Sequence, residues 1–472
     1  MNGDSSTDGG AVQASIERAA ALRAAPRDGD ALTLTCDDLD DEGAGLAAHS
    51  GARVHVAAAL PGERVVATVT HVSSHRPEAW ARLDSIERLS PDRRPPACAA
   101  FGSCGGCVLQ HLDVAAQLGW KARRLGRALA AHPALSGVST SEAVPSQRAL
   151  GYRNRSKLVC AARDGRVVLG AFAPRSHDVV DLAGCRVSEA PLEELAGALR
   201  VLLASADVVP YDERTFTGDL RHVVLRANHA GAVLAVFVVA RPGVPAVAAL
   251  ARRLRAEQPR VVGVVENVNR TRGNVIYGDE DRTLDGAASL EERVGAVRLR
   301  LSPRAFFQAN RDVAALAYAA IAREVAVRPG ESVVDAYCGV GGIALTLAPA
   351  AREVVGVEEH AAAIADATAS AALNRITNAR FVAGDVAVAL RDVPRADVVV
   401  LNPPRKGCGA GALVEATRLQ PRVIAYLSCD PDTLARDLAA LAERRFAVRS
   451  VTPFDMLPHT PHVEALAILD RR

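Results

Sequence analysis

The C-terminal third of the sequence alternates apolar segments with segments of helical character. From residue 310 onward, four apolar stretches are each followed by a helical pattern, and they occupy residues 332–335, 353–358, 396–401 and 422–427. Strands that are buried on both faces have near-continuous apolar sequences, and an intervening helix makes successive strands parallel. The sequence therefore predicts a doubly wound α/β domain that binds its ligand at the carboxyl ends of the strands.

Length and composition limit the number of domains and the class of protein that the chain can form. The 472 residues are too many for one hydrophobic core, and 49% hydrophobic with 23% charged residues is typical of a globular protein. The net charge is only +2, so any nucleic-acid surface must come from local clusters of arginine. We find no run of about 18 apolar residues and no export signal. We therefore expect a cytoplasmic protein without a membrane span, in which disulfides are rare.

Changes in pattern divide the chain into four segments. Residues 1–30 are polar and predict a disordered tail, and residues 31–90 contain short strands separated by turn residues, which predicts a small closed β-barrel. Residues 91–300 begin with a proline-rich joint and predict a central α+β domain. Residues 301–472 form the α/β domain, and a helix predicted at about 111–132 is expected to pack on it.

Four of the nine cysteines have the spacing of a metal site. Cys98, Cys104 and Cys107 lie within ten residues, and Cys185 follows a glycine in a separate loop. Glycines between Cys104 and Cys107 let the backbone curl so that both sulfurs face one point. Four thiolates suit either zinc or an iron–sulfur cluster, and zinc ribbons usually pair two short C-x-x-C units. The lone fourth cysteine therefore favours the iron–sulfur cluster over zinc.

A glycine-rich turn and two acidic residues predict a nucleotide-like cofactor. The turn follows the first strand of the α/β domain and contains Tyr337 and Gly342. Glu358 ends the next strand, where its carboxylate can accept hydrogen bonds from ribose hydroxyls, and Asp385 follows the third strand, where it can meet an adenine amino group. No G-x-G-x-x-G dinucleotide turn is present. This order of elements matches a class I methyltransferase that uses S-adenosylmethionine.

Three further segments lie where the strands of this domain end. They contain Asn402 after the fourth strand, Cys429 after the fifth, and Glu464 immediately before the last. Cysteine and glutamate at one edge of a sheet provide a nucleophile and a base. Cys338 and Cys408 remain alternative nucleophiles, although Cys338 lies in the cofactor turn and Cys408 in a glycine-rich loop.

Together these motifs resemble the RNA uridine-C5 methyltransferases. The similarity rests on five motifs and covers nearly the whole chain from about residue 31, and the N-terminal strands resemble a TRAM domain, a small OB-like RNA-binding barrel. The sequence is most similar to the bacterial 23S ribosomal RNA branch, whose members carry a 4Fe-4S cluster. The five motifs are Phe306-Phe307-Gln308, Asp335-x-Tyr337-Cys338-Gly339, Asn402-Pro403-Pro404-Arg405, Ser428-Cys429-Asp430-Pro431 and His459-Thr460-x-His462-x-Glu464.

The resemblance implies a role for each of these positions. Cys429 is the nucleophile and Glu464 the base, and Cys98, Cys104, Cys107 and Cys185 ligate the cluster. The cofactor and target pocket is lined by Gln308, Tyr337, Glu358, Asp385 and Asn402. Many relatives have aspartate where this chain has Asn402, which leaves the role of that residue open.

The chemistry of uridine explains why these residue types are needed. C5 of uracil is a poor nucleophile until a thiolate adds to C6, and a base must afterwards remove the C5 proton. The target base must leave its stack, so loop or single-stranded RNA is the expected partner, and ribosomal RNA is the first candidate. Phe306 or Phe307 could stack on that base, and Arg153, Arg155 and Lys157 could hold phosphates. We expect a monomer without a protein partner.

Three other functions are compatible with these residues. A transfer-RNA uridine methyltransferase shares Cys429 and Glu464, but the usual bacterial enzyme lacks the cluster cysteines. An N-methyltransferase would use Asn402 and would not need Cys429. A non-catalytic iron–sulfur RNA-binding protein would need neither.

Overall fold

The computed structural model describes residues 26–163, 165–273 and 275–472. The disordered tail predicted for residues 1–30 thus falls mostly, up to residue 25, outside the described residues. The chain divides into two compact units, Met1–Trp120 with His459–Pro461, and Lys121–Pro458 with His462–Arg472. Within the described ranges, no helix combines the length and apolar character needed to cross a membrane.

The first unit contains a six-stranded sheet. Buried and exposed positions alternate along its strands, as in β1 and β4, because successive side chains point to opposite faces. Its sheet order is β1-β5-β6-β4-β3-β2. The predicted barrel closure and TRAM assignment stay predictions. The strands are β1 (Ala31–Thr35), β2 (Asp38–Leu39), β3 (Gly45–His49), β4 (Ala52–Ala57), β5 (Arg64–Val72) and β6 (Glu78–Arg88).

The second unit begins with a seven-stranded, mostly antiparallel sheet, which we call the central sheet. Its order is β13-β12-β11-β10-β7-β8-β9, and two helices cover one face. Its strands are β7 (Arg155–Arg163), β8 (Arg166–Phe172), β9 (Val179–Asp181), β10 (Leu220–Ala227), β11 (Val233–Val239), β12 (Val261–Val268) and β13 (Glu280–Gly286). Helix α1 (Val114–Ala130) precedes them, and the covering helices are α2 (Ala190–Ala204) and α3 (Pro245–Glu257).

The C-terminal sheet has the predicted doubly wound α/β architecture. Its order is β18-β17-β16-β19-β20-β22-β21, with five parallel strands and an antiparallel pair at one edge. The strands are β16 (Ser332–Ala336), β17 (Glu353–Glu358), β18 (Ala379–Ala383), β19 (Val398–Leu401), β20 (Val423–Ser428), β21 (Phe446–Phe454) and β22 (Glu464–Arg471). A hairpin of β14 (Leu290–Val294) and β15 (Val297–Leu301) precedes them.

Helices connect the strands of this sheet and pack on both of its faces. They are α4 (Arg311–Val325), α5 (Gly342–Leu347), α6 (Ala361–Leu373), α7 (Val386–Ala389), α8 (Ala410–Arg418) and α9 (Pro431–Ala442), with short 3-10 helices at Pro133–Leu135, Ala348–Ala350 and Leu390–Asp392. Two apolar clusters, one on each face, enclose the parallel strands. The four apolar segments predicted from the sequence correspond to β16, β17, β19 and β20.

Candidate active site

The candidate site lies at the carboxyl edge of the C-terminal sheet. The parallel pairing of β16, β19 and β20 puts the ends of these strands at one edge. Ser428, the last residue of β20, pairs with Ala465 in the antiparallel strand β22. Cys429 follows Ser428 and Glu464 precedes Ala465, so this register places the predicted nucleophile opposite the predicted base.

Cys429 is partly exposed, and its thiol is protonated at neutral pH. Burial, and then the negative charge of Glu464, raise the pKa of Cys429 to about 11, against the opposing effect of Arg405. The sequence predicted instead that the N-terminus of the following helix would favour the thiolate. The helix does begin at Pro431, but Asp430 caps it by accepting hydrogen bonds from the amides of Asp432 (3.1 Å) and Thr433 (2.9 Å). Burial and two nearby carboxylates, Glu464 and Asp430, therefore hold the pKa of Cys429 above its ordinary value.

Glu464 is 4% exposed. Burial raises the pKa of its carboxyl to about 7, although Arg405 acts in the opposite direction. A buried carboxyl with a pKa near neutrality can gain or lose a proton under physiological conditions, which is the property required of a general base.

Arg405 is the cation that acts on both of these groups. It follows β19, and its carbonyl accepts a hydrogen bond from Thr433 Oγ1 at 3.0 Å. Its Nη2 lies 3.2 Å from each ring nitrogen of His462. Burial and the charge of Arg405 lower the pKa of His462 to about 4, so the imidazole is neutral. Both residues belong to motifs predicted to lie at this edge, but neither had a predicted role, because the contact between their side chains depends on the register of β22.

The predicted cofactor turn adopts the strained backbone that its glycines suggest. Tyr337 has a φ of 64° and Gly341 a φ of 85°, the left-handed region. Gly342 begins α5, where a Cβ atom would lie 2.8 Å from the Tyr318 ring. Glu358 accepts hydrogen bonds from the amides of Gly339 (3.2 Å) and His360 (3.0 Å), which fixes the carboxylate against the turn.

The other predicted cofactor residues, Asn402, Asp385 and Gln308, each make different contacts. The amide of Asn402 donates to the carbonyl of Ala336 at 3.2 Å, which puts Asn402 next to the turn. Burial, then Cys408, and then the charge of Asp385 raise the pKa of Tyr337, while Asp385 also caps α7. The carbonyl of Gln308 accepts a hydrogen bond from Asn154 Nδ2 at 3.0 Å, so the central sheet holds that loop.

Asp335 lies in β16, immediately before the predicted cofactor turn, and belongs to one of the five motifs without a predicted role. It is fully buried, and one oxygen accepts a hydrogen bond from the amide of Ala344 at 2.8 Å. Its Oδ1 has no hydrogen-bond partner among the described residues. Burial raises its pKa to about 7. An acidic residue inside an otherwise apolar strand was the available signal.

The alternative nucleophiles are less accessible than Cys429. Cys338 is buried, and burial raises its thiol pKa well above the ordinary value. Cys408 is also buried, and burial raises its pKa to about 12 even though Tyr426 and Tyr337 hydrogen-bond to it. Of these three thiols, Cys429 alone is partly exposed and beside a carboxyl with a pKa near 7.

The four cysteines of the predicted cluster belong to different units. Cys98, Cys104 and Cys107 lie in the first and Cys185 in the second, and all four are partly exposed thiols. Among the described residues, no group of three or more histidine, cysteine, aspartate or glutamate side chains is arranged to hold a metal ion. The donor chemistry of the four thiols fits a cluster.

Comparison with known proteins agrees with this architecture. The family model for tRNA (uracil-5-)-methyltransferase matches residues 246–472. An RNA methyltransferase of Geobacter sulfurreducens is 40% identical over 452 residues, covering 94% of this chain and 90% of the relative. One from Listeria innocua is 34% identical over 443 residues, covering 93% and 97%.

A solved structure is similar over almost the same extent. The tRNA (uracil-54, C5)-methyltransferase of Pyrococcus abyssi, in complex with S-adenosyl-L-homocysteine, superposes with a TM-score of 0.76 at 28% identity. The match covers 93% of this chain and 99% of that one. The chain therefore belongs to the RNA (uracil-5-)methyltransferase family.

Proposed function

We propose that this enzyme methylates C5 of a uridine in RNA through a covalent bond between Cys429 and C6. The observation that carries the proposal is the position of Cys429 and Glu464, one residue beyond the Ser428–Ala465 pair of β20 and β22, with Arg405 acting on both. S-adenosylmethionine would supply the methyl group, since the Pyrococcus relative is in complex with the demethylated cofactor.

Each residue has one task in this reaction. The ionised Cys429 sulfur adds to C6, and the electrons of the C5–C6 double bond move into the ring carbonyl to give an enolate. C5 then takes the methyl group. Glu464 removes the C5 proton, the double bond reforms, and the electrons of the C6–sulfur bond return to Cys429. The positive charge of Arg405 favours the thiolate that starts this sequence.

Trapping the adduct tests the covalent step. RNA that contains 5-fluorouridine cannot lose fluorine as a cation, so the adduct should persist and shift the protein in a denaturing gel. Cys429→Ala should abolish the shifted band, whereas Cys36→Ala, which removes a buried thiol of the first unit, should keep it. If the shifted band persists in both variants, the role of Cys429 is refuted and a function that needs no thiol is favoured.

We further propose that Gln308, Tyr337, Gly342, Glu358, Asp385 and Asn402 bind the cofactor. Support comes from the strained turn at Tyr337 and from Glu358, whose carboxylate is fixed beside it. Glu358→Gln should weaken S-adenosylhomocysteine binding in calorimetry without changing the affinity for RNA. Equal affinity in the variant and the wild type would remove Glu358 from this set.

The RNA substrate has two candidates. Ribosomal RNA is proposed because the four cysteines resemble the 23S branch, and transfer RNA is the second candidate because the Pyrococcus relative methylates a tRNA uracil. Mapping 5-methyluridine in both RNAs from a deletion strain distinguishes them. A missing modification in ribosomal RNA alone would support the first candidate.

The cluster proposal rests only on donor chemistry and spacing. We propose that Cys98, Cys104, Cys107 and Cys185 bind a 4Fe-4S cluster rather than zinc, and none of the catalytic steps above depends on it. Anaerobically purified protein should contain iron and acid-labile sulfide and should lose both in Cys104→Ser. Zinc without sulfide would refute the cluster.

A further inference from the structure

On the face of the central sheet opposite its two helices, β10 and β11 are buried, whereas β7 carries a row of partly exposed and exposed cations. Arg155 and Lys157 alternate along β7 with the buried Ser156 and Leu158, and Arg153 precedes them by the same two-residue step. Residues at i, i+2 and i+4 of a strand project from one face and recur about every 6.8 Å. Successive phosphates of an extended single-stranded nucleic acid are separated by a comparable distance.

No carboxylate balances this row. Among the described residues, no ion pair involves Arg153, Arg155 or Lys157. Arg226 in β10 pairs directly with Arg155, so two like charges face each other across the strands, which is destabilising. Burial and the neighbouring arginines lower the pKa of Lys157 to about 8. Asp366 and Glu292 partly offset the charge of Arg226, but none of the described carboxylates forms an ion pair with the three cations of the row.

Two buried donors on the same face lack partners. Arg226 is 5% exposed, and while its Nη2 donates to the carbonyl of Ala305, its Nη1 has no partner among the described residues. The hydroxyl of Tyr277 also has none, and the Lys157 ammonium lies 5.7 Å from the centre of the Tyr277 ring. Unsatisfied buried donors next to uncompensated cations are the features of a site for an anion.

The connection that carries Tyr277 also contacts an exposed aromatic ring. The connection between β12 and β13 carries Tyr277, which contacts the row, and Arg272, whose guanidinium lies 4.5 Å from the centre of the Phe216 ring. The Phe216 side chain is 45% exposed although it is held by this contact. Exposed aromatic rings beside cations are the usual platform on which unpaired bases stack.

We propose that Arg153, Arg155 and Lys157 bind successive phosphates of single-stranded RNA, and that Phe216 stacks on a base of the same strand. This inference rests on the proposed RNA methylation, because it assigns the path by which a strand reaches the site. A single strand is favoured over a duplex because stacking on Phe216 requires an unpaired base and because the target uridine must itself be unstacked.

Salt-dependent binding of a short, labelled, single-stranded oligonucleotide tests the phosphate contacts. When the logarithm of affinity is plotted against the logarithm of salt concentration, each phosphate contact to a single strand contributes about 0.7 to the steepness of the slope. Arg155→Gln and Lys157→Gln should each lower the steepness of this dependence by about that amount. Arg252→Gln is the matched control, since it removes one exposed arginine from α3 on the opposite, helix-covered face. An unchanged steepness in both Arg155→Gln and Lys157→Gln would overturn the proposal.

Two additional measurements separate binding from folding and from catalysis. Arg155→Gln should not lower the melting temperature, since it removes a like-charge pair, and Phe216→Ala should weaken single-strand binding by about tenfold with little effect on a duplex of the same sequence. Equal losses on duplex and single strand would overturn the single-strand assignment. Binding is measured without cofactor, so a protein that binds as expected but transfers no methyl group would refute the proposed function alone.

Discussion

Replacement of Glu464 by glutamine should remove a pH-dependent loss of stability. The carboxyl has a pKa of about 7 in the folded protein, compared with 4.5 for the ordinary group. Its protonated form is favoured by folding, so its contribution is fully present below pH 4.5 and is lost as the pH rises through 7. A tenfold change in an ionisation constant is worth about 1.4 kcal/mol, so ionising Glu464 costs the folded state about 3 kcal/mol.

Hydrogen exchange of the β20 amides measures this effect where it occurs. The two tryptophans, Trp80 and Trp120, both lie in the first unit, so tryptophan fluorescence would report on the wrong part of the molecule. Between pH 5 and 8, wild type should lose protection relative to Glu464→Gln as the pH approaches 7, and the difference should level off above that value, where the titration of the folded-state carboxyl is complete.

A control and a kinetic measurement complete this test. Glu443→Gln makes the same chemical change at an exposed position after α9 and should leave the wild-type pH dependence in place. In the proposed reaction, the turnover rate of wild type should rise with pH through the same titration, whereas Glu464→Gln should accumulate the methylated covalent adduct. Parallel pH dependences of β20 protection in wild type and Glu464→Gln would refute the reasoning.

Three further changes have outcomes that follow from single contacts. Gly342→Ala should lower both the melting temperature and the affinity for the cofactor, because the new Cβ atom would lie 2.8 Å from the Tyr318 ring. As a control, Gly197→Ala in α2 places a Cβ atom with no other atom within 4 Å and should raise the melting temperature slightly. Lys121→Met should lower the free energy of unfolding, measured by denaturant titration, by about 3–5 kcal/mol, because it leaves the buried Asp455 without its partner at 2.5 Å. A second change, Asp455→Leu, should recover much of that loss. An absence of recovery would argue against a pairing effect. Arg405→Gln should shift the pH–rate profile to higher pH, since Arg405 opposes the raised pKa of both Cys429 and Glu464, and an unmoved profile would contradict this assignment.

The positions of the parallel strands could be predicted from the sequence, because strands buried on both faces are apolar along their whole length. The segment predicted at 353–358 coincides with β17, and the loops after the strands lie at the predicted edge. The position of Glu464 at the start of the last strand was also predictable from local pattern. What could not be predicted is the contact of Arg405 with His462, because it depends on the register of β22, a pairing between distant parts of the chain. The raised pKa of Cys429 depends on the same pairing.

The raised pKa values of Cys429 and Glu464 have a common cause, and this cause orders the proposed reaction. Both groups are partly or fully buried, and the negative charge of Glu464 further disfavours the thiolate of Cys429. The pair therefore carries one negative charge more readily than two. Once the sulfur has formed its bond to C6, it no longer bears a charge, and the electrostatic cost of ionising Glu464 falls. Covalent addition thus favours the ionised base at the step that requires it, and removal of the C5 proton restores a neutral carboxyl just as Cys429 regains its negative charge.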